Sequence, residues 1–470
     1  MEQKLVFDLE LIRRYDKSGP RYTSYPTAVK FDEAFDEDSY RAVAQRTNEL
    51  SRAQVAKGGR PTPLSLYFHI PFCDTVCFYC GCNKIATKDR SKAQPYLDRV
   101  YQELAMQSAL FDDDRRVDQL HWGGGTPTFI SHEQMRELMA TTRRYFSLHD
   151  DDSGEYSIEI DPREVTVDSI ALLREIGFNR MSLGVQDFDA QVQKSVNRIQ
   201  SEEQTFATLA AAKAEGFKSV SIDLIYGLPF QTVESFAATV DKVIAAAPDR
   251  LSVFNYAHLP EMFKPQRRIN EEDLPSAGVK LDILQDTNER LSKAGYVYIG
   301  MDHFAKPDDE LAVAQREGTL YRNFQGYSTH ADCDLIGLGV TSIGKVGNSY
   351  SQNLKTMDEY TARIDAGRLA VYRGIELDDD DVLRREVITQ LICNFTLDPR
   401  QIERQFGIDF AEYFALELKE LESMAADGLI VIRDGVIDVA PAGRLLIRNV
   451  CMVFDKYLRQ ASEQRFSKVI

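Results

Sequence analysis

The stretch YFHIPFCDTVCFYCGC, residues 67–82, puts four cysteines into ten residues directly behind the β-rich run LSLYFHI (64–70). Cys73, Cys77 and Cys80 follow a C-x3-C-x2-C spacing, and Cys82 closes the group. Thiolates are soft ligands suited to iron–sulfur clusters or zinc, and this spacing delivers three of them from one tight loop. Three ligands on a four-iron cluster leave one iron free to bind something else. A zinc site using all four thiols would normally pair two separated C-x2-C knuckles, and nothing near Cys333, Cys393 or Cys451 supplies the second. Cys77 and Cys80 alone make a thioredoxin-like redox pair. Neither alternative accounts for Cys73. Cys82 reads as a bystander or as a thiol tuned by the nearby cluster.

Working outward, β-rich runs recur at 64–70, 117–122, 156–160, 179–185, 219–227 and 251–257. Segments of helical period separate them at 92–110, 131–146, 166–176, 202–215 and 232–247. Strands alternating with helices of that length imply parallel strands joined by right-handed crossovers. The fold class is α/β: six such units predict an open, partial (β/α)6 barrel with its site at the C-terminal strand ends. Three segments follow: an N-terminal extension over the barrel (1–60), the barrel and its C-terminal elaboration (61–370), and a mostly helical domain (371–470). In the last, three helices, a hairpin at 429–440 turned by Asp434-Gly435 and a final helix at 441–460 give a winged-helix-like pattern.

The chain of 470 residues is 43% hydrophobic, 27% charged and carries a formal charge of −17. That excludes a disordered chain and argues against nucleic acid or an anionic membrane surface as partner. No apolar run reaches the roughly 18 residues of a membrane span, and the first residues lack the pattern of a signal peptide. Seven cysteines, four of them in one loop, make no disulfide framework. The expected compartment is the cytoplasm, and the expected state a monomer.

The cysteine loop after a strand resembles the radical S-adenosylmethionine (SAM) superfamily. With RYTSYP (21–26), HWGGGTPT (121–128) and EIDPRE (159–164), the chain is similar over nearly its whole length to the oxygen-independent coproporphyrinogen III oxidase family. A related group of heme chaperones shares the barrel but typically carries Phe at the place of Cys82 and lacks an RYTSYP extension. It stands as the alternative. The resemblance implies one 4Fe–4S cluster on Cys73, Cys77 and Cys80, with SAM on the fourth iron, and two SAM molecules in all. It implies that Gly124, Gly125 and Thr126 meet the methionyl end of SAM. Glu159, Gln186, Arg198 and Asp223 hold SAM through polar groups, while Tyr67, Tyr79, Ala257 and Ile343 line its pockets. His69 takes a supporting or proton-handling role, and Phe324 and Gln325 border the substrate. The implied reaction converts two propionates of coproporphyrinogen III to vinyl groups, giving protoporphyrinogen IX in anaerobic heme biosynthesis. It requires a one-electron donor and an electron acceptor.

Read without the family, the glycine triplet is as readily a tight turn, and Glu159 and Asp223 are more readily helix caps. GVTSIGKV (339–346) has the P-loop spacing but Val346 where magnesium needs Ser or Thr, so it is a decoy. A substrate with four propionates needs a local basic patch in so acidic a chain. Arg13, Arg14, Lys17, Arg21 and Lys30 face only Asp16 within residues 13–30. That arm either folds over the barrel mouth to meet propionates or is a solvated tail packed on the barrel.

Overall fold

The computed structural model describes residues 5–460; the outermost ends of the first and third expected segments lie outside the described residues. Six parallel strands form where the alternation places them: β1 Leu64–Ile70, β2 Val117–Gly124, β3 Glu155–Ile160, β4 Arg180–Gln186, β5 Ser219–Tyr226 and β6 Arg250–Asn255. Helices Ala93–Ser108, His132–Tyr145, Val167–Glu175, Glu202–Ala214 and Val233–Ala246 cross between them. Three of these helices open with a reciprocal cap, Ser131 with Gln134, Thr166 with Ser169 and Thr232 with Ser235. Each cap satisfies two backbone donors at the turn that leaves the strand.

The alternation along β4 and β5 is inverted relative to a water-facing sheet. Leu183, Ile222 and Leu224 point outward and are fully buried beneath the helices. Ser182, Ser221 and Asp223 point inward and line a cavity. A barrel interior is normally packed with branched apolar side chains; a polar interior is built to receive something.

Six further strands lengthen the sheet at both edges: β7 Val297–Gly300, β8 His303–Ala305, β9 Asp334–Leu338, β10 Ile343–Val346, β11 Ser349–Asn353 and β12 Val371–Glu376. The order is β12-β11-β10-β9-β1-β2-β3-β4-β5-β6-β8-β7. Strand β9 joins β1 in parallel, pairing Leu64 with Asp334 and Phe68 with Leu338, while β10–β12 and β7–β8 run antiparallel. A hairpin, Tyr321–Asn323 with Gly326–Ser328, crosses the interior: Gln119 on β2 donates to Ser328 Oγ (3.1 Å), and the Tyr327 ring meets His303 edge-on.

The C-terminal segment carries helices Asp379–Asn394, Pro399–Phe406 and Ala415–Ala426 and the hairpin Ile430–Arg433/Val436–Val439, to which Thr396–Leu397 adds a third strand. The single final helix expected at 441–460 is instead two, Ile447–Val453 and Lys456–Gln460. Asp455 divides them, its carboxylate capping Tyr457 and Leu458 N–H and accepting from Tyr22.

The N-terminal arm is a strap between barrel and C-terminal segment. Tyr15 carbonyl accepts from Asn449, and the Gly19 and Pro20 carbonyls accept from Arg448. Three of its five cations already have partners within the chain: Arg14 on Asp427, Arg21 on Asp302 and Lys30 over the Tyr457 ring. The arm thus touches both the C-terminal segment and the sheet.

Closure of β9 on β1 rests on a buried ion pair. Arg115 and Asp334 are 1% and 5% exposed and bonded to each other. Arg115 also donates to Thr62 carbonyl (2.8 Å) and Asn48 Oδ1 (3.0 Å), and Asp334 accepts from Gly347 N–H (2.7 Å). Removing one partner of such a pair strands the other charge, at a cost of about 3–5 kcal/mol. Asp334→Ala is therefore expected to lower the midpoint of urea unfolding markedly, and an unchanged midpoint would refute the role given to the pair.

Candidate active site

Parallel pairing of β1 with β2 sets Ile70 opposite Gly124 and delivers two loops to one place. Gly125 N–H donates to Ile70 carbonyl (2.8 Å) and Thr126 N–H to Phe72 carbonyl (2.7 Å). Gly125 has no room for a side chain, because a Cβ would stand 2.7 Å from Phe72 oxygen, and Gly124 holds φ +116°. The triplet is thus a close backbone approach to the cysteine loop, a conformation only glycine adopts without strain.

The loop is held at both ends. Thr87 N–H meets Cys73 carbonyl (2.9 Å), Phe78 N–H meets Val196 carbonyl (2.9 Å), and Cys80 N–H turns back to Cys77 carbonyl (3.2 Å). Each thiol has its own polar partner. Thr126 Oγ1 lies 3.6 Å from Cys73 Sγ, while Arg198 Nη1 and Arg163 Nη2 lie 3.5 and 3.7 Å from Cys77 Sγ. Cys82 N–H donates to Cys80 Sγ (3.4 Å). A hydrogen bond from Cys82, with Lys84 close by, lowers the Cys80 thiol, and burial pushes Cys73 up to about 11. Cys82 thus lies beside Cys80 and donates its N–H to that sulfur.

These residues fit an iron–sulfur cluster better than a zinc ion. Tetrahedral zinc with bonds of about 2.3 Å brings its sulfurs to within about 4 Å of one another. Among the described residues, only His330, Asp332 and Cys333 bring three ligand atoms within 4.8 Å, so at least one pair of the loop sulfurs stands farther apart than that. In that other group His330 is already paired with Glu155 and Asp332 with Arg60. Arg198 Nε, beside the loop, is a buried donor without a partner, as a site awaiting a polar ligand would leave it.

One carboxylate falls near the end of its strand and the other within its strand. Glu159, near the end of β3, accepts from Gly124 N–H (3.2 Å) and lies 3.3 Å from His121 Nε2. Asp223 on β5 accepts from Ser182 Oγ (2.6 Å), and burial raises its carboxyl to about 6. Both line a cavity of about 220 Å³ with Gln325 and His303 on another side; Gln325 leaves both amide atoms buried and unpaired. Gln186 ends β4 at φ +69°, where a bulge shifts the pairing with β5. Tyr67 stacks on His121 at 5.8 Å. His69 Nε2–H donates to Asn83 carbonyl (3.0 Å) and Nδ1 accepts from Tyr67 hydroxyl (3.1 Å); burial keeps the ring neutral. Tyr79 packs beside Tyr256 and Leu228. Ala257 follows β6, Ile343 begins β10, and Phe324 packs between Phe31 and Tyr350. Ala257, Ile343 and Phe324 lie outside the lining of the 220 Å³ cavity, as do Tyr67, Tyr79, Gln186, Arg198, the Gly124–Thr126 turn and the cysteines.

Three groups escaped the sequence reading. Asp161 and Arg163 sit inside EIDPRE, whose two-residue spacing is the available signal for an ion pair (2.6 Å). Glu103 is fully buried, accepts from Gly339 N–H, Tyr360 hydroxyl and Asn353 amide, each at 2.7 Å, and is raised by burial to about 7. It anchors the GLG turn, so the decoy P-loop is a carboxylate-braced bend leading into Ile343. Nothing in the helical pattern of QELAMQ marks that acid as internal.

The radical SAM superfamily model matches residues 67–243, and the HemN C-terminal domain model matches 377–446. The oxygen-independent coproporphyrinogen III oxidase of Pseudomonas aeruginosa is 57% identical across the whole of both chains, and that of Escherichia coli 53% across all of this chain and 99% of its own. A solved Escherichia coli structure, described as coproporphyrinogen III oxidase (HemN), a radical SAM enzyme, superposes with a TM-score of 0.90 at 51% identity, over 97% of this chain and 100% of that one. The barrel, the three-thiol loop and the glycine turn, with these matches, define a radical SAM enzyme. More narrowly, the chain belongs to the oxygen-independent coproporphyrinogen III oxidase family.

Asp223 provides a test of the polar interior. Its carboxyl is raised in the folded state, so its contribution to stability is full below the unfolded value and is lost as pH rises through about 6. Asp223→Asn removes that loss. The stability of wild type relative to the variant is expected to fall between pH 4 and pH 7 in chemical unfolding, whereas a difference flat with pH would contradict the burial.

Proposed function

We propose that the chain is an oxygen-independent coproporphyrinogen III oxidase that converts two propionates of its substrate to vinyl groups, giving protoporphyrinogen IX. The observation that carries this reading is the docking of the Gly124–Thr126 turn on Ile70 and Phe72, at the root of the loop that carries Cys73, Cys77 and Cys80. The full-length relatives, named as oxidases, favour it over a heme chaperone on the same barrel.

Cys73, Cys77 and Cys80 would hold a 4Fe–4S cluster whose fourth iron is left for SAM. When bound, cluster and SAM supply one-electron reduction and hydrogen-atom abstraction. Two SAM molecules divide the polar residues Glu159, Gln186, Arg198 and Asp223 and the pocket residues Tyr67, Tyr79, Ala257 and Ile343 between them. Gly124, Gly125 and Thr126 offer backbone to the methionyl end, and Glu159 suits its ammonium group. His69, neutral and fixed by hydrogen bonds at both nitrogens, holds the cysteine loop through Asn83 rather than carrying a proton. Each reacting propionate loses one hydrogen atom from its β-carbon, one electron and CO2. An external donor and an external acceptor complete the electron count. The chain works as a cytoplasmic monomer; no helix among the described residues is long and apolar enough to cross a membrane.

Anaerobic turnover of coproporphyrinogen III by iron- and sulfide-loaded protein, with SAM, reductant and an electron acceptor, tests this directly. Two CO2 and two 5′-deoxyadenosine per protoporphyrinogen are expected, and Cys73→Ser, Cys77→Ser or Cys80→Ser should each reduce both products at least a thousandfold. Deoxyadenosine without a vinyl product would contradict the substrate. Substantial turnover by any of the three variants would contradict the ligand set.

A further inference from the structure

Asp161 and Arg163 belong to a motif that the sequence singles out, yet neither has a part in holding cluster or SAM in the reading above. Asp161 follows β3, and its Oδ2 is shared by two guanidiniums, Arg163 Nη2 at 2.6 Å and Arg198 Nη1 at 3.0 Å. Both also reach the Cys77 sulfur, at 3.7 and 3.5 Å. Two cations sharing one anion leave net positive charge at that sulfur. The Arg163 and Arg198 side chains are 16% and 7% exposed, so solvent and salt screen little of it.

We propose that Arg163, oriented by Asp161, raises the reduction potential of the iron–sulfur cluster through Cys77. The proposal rests on the reading of Cys73, Cys77 and Cys80 as cluster ligands. A hydrogen-bond donor and a positive charge at a ligating sulfur stabilise the cluster form that holds one more electron. That electron comes from an external low-potential donor. The guanidinium keeps its protons and makes no bond. Arg198 is also a SAM residue in the proposed function, whereas Arg163 is not, so tuning is separable from SAM binding at Arg163. Arg163 is a positioning residue for the electron, not a ligand to substrate.

The test is a redox titration followed by electron paramagnetic resonance, on full-length protein loaded with iron and sulfide and without SAM. With wild-type iron content, Arg163→Gln is expected to show a tenfold lower ratio of reduced to oxidised cluster at a fixed solution potential, equivalent to 59 mV for one electron. Arg163→Lys, which keeps the charge, should recover most of that ratio. An Arg163→Gln ratio equal to wild type would overturn the proposal while leaving the cluster reading intact. Arg163→Met is the second neutral variant and should match Arg163→Gln. Failure of both neutral variants to hold iron, with Arg163→Lys loaded normally, would make Arg163 a structural post and equally overturn the assignment. A wild type without a four-iron signal would instead overturn the cluster reading itself.

Discussion

Two backbone hydrogen bonds, from Gly125 to Ile70 and from Thr126 to Phe72, are the join on which the site depends. They form because β1 and β2 are parallel neighbours whose C-terminal ends emerge side by side. The cysteine loop leaves one strand and the glycine turn leaves the other. Neither makes a cofactor site alone: the loop provides sulfur, and the turn provides unobstructed backbone. The neighbouring strands carry further polar groups, Glu159 near the end of β3, Gln186 at the end of β4 and Asp223 within β5.

Charge is the second organising constraint. A chain with a net charge of −17 gathers three thiols in one loop and must offset the thiolates locally. It does so with Arg163 and Arg198 at Cys77 and Lys84 near Cys80. The polar interior follows the same logic in reverse: Ser182, Asp223 and Gln325 face a cavity while Leu183, Ile222 and Leu224 face the helices. Stability therefore comes from the outer layer, and the inner surface is free for ligands.

The parts of this fold with a strong period were legible in the chain. The six parallel strands fall within one or two residues of the expected runs, and four of the five helices that cross between them open on a side-chain cap. The edge strands β9–β12 were not legible. They are four to six residues long, rich in Gly and Ser, and β9 finds its partner β1 across more than half the chain. The cysteine loop and the glycine turn were readable because their spacing is chemical. Asp161, Arg163 and Glu103 were not, because a charged residue in a helical or turn sequence looks the same whether it faces water or a buried partner. The N-terminal cations, read from sequence either as a patch for propionates or as part of a solvated tail on the barrel, are partly engaged by Asp427, Asp302 and Tyr457.

The central claim is that three thiols of one loop hold a four-iron cluster with an iron left open to SAM. Electron paramagnetic resonance of the loaded, dithionite-reduced protein, recorded before and after SAM, tests it most directly. A reduced 4Fe–4S signal whose shape changes on adding SAM, retained when Cys82 is replaced by Ser, is the result predicted. A signal indifferent to SAM, or a colourless protein with stoichiometric zinc, would contradict it.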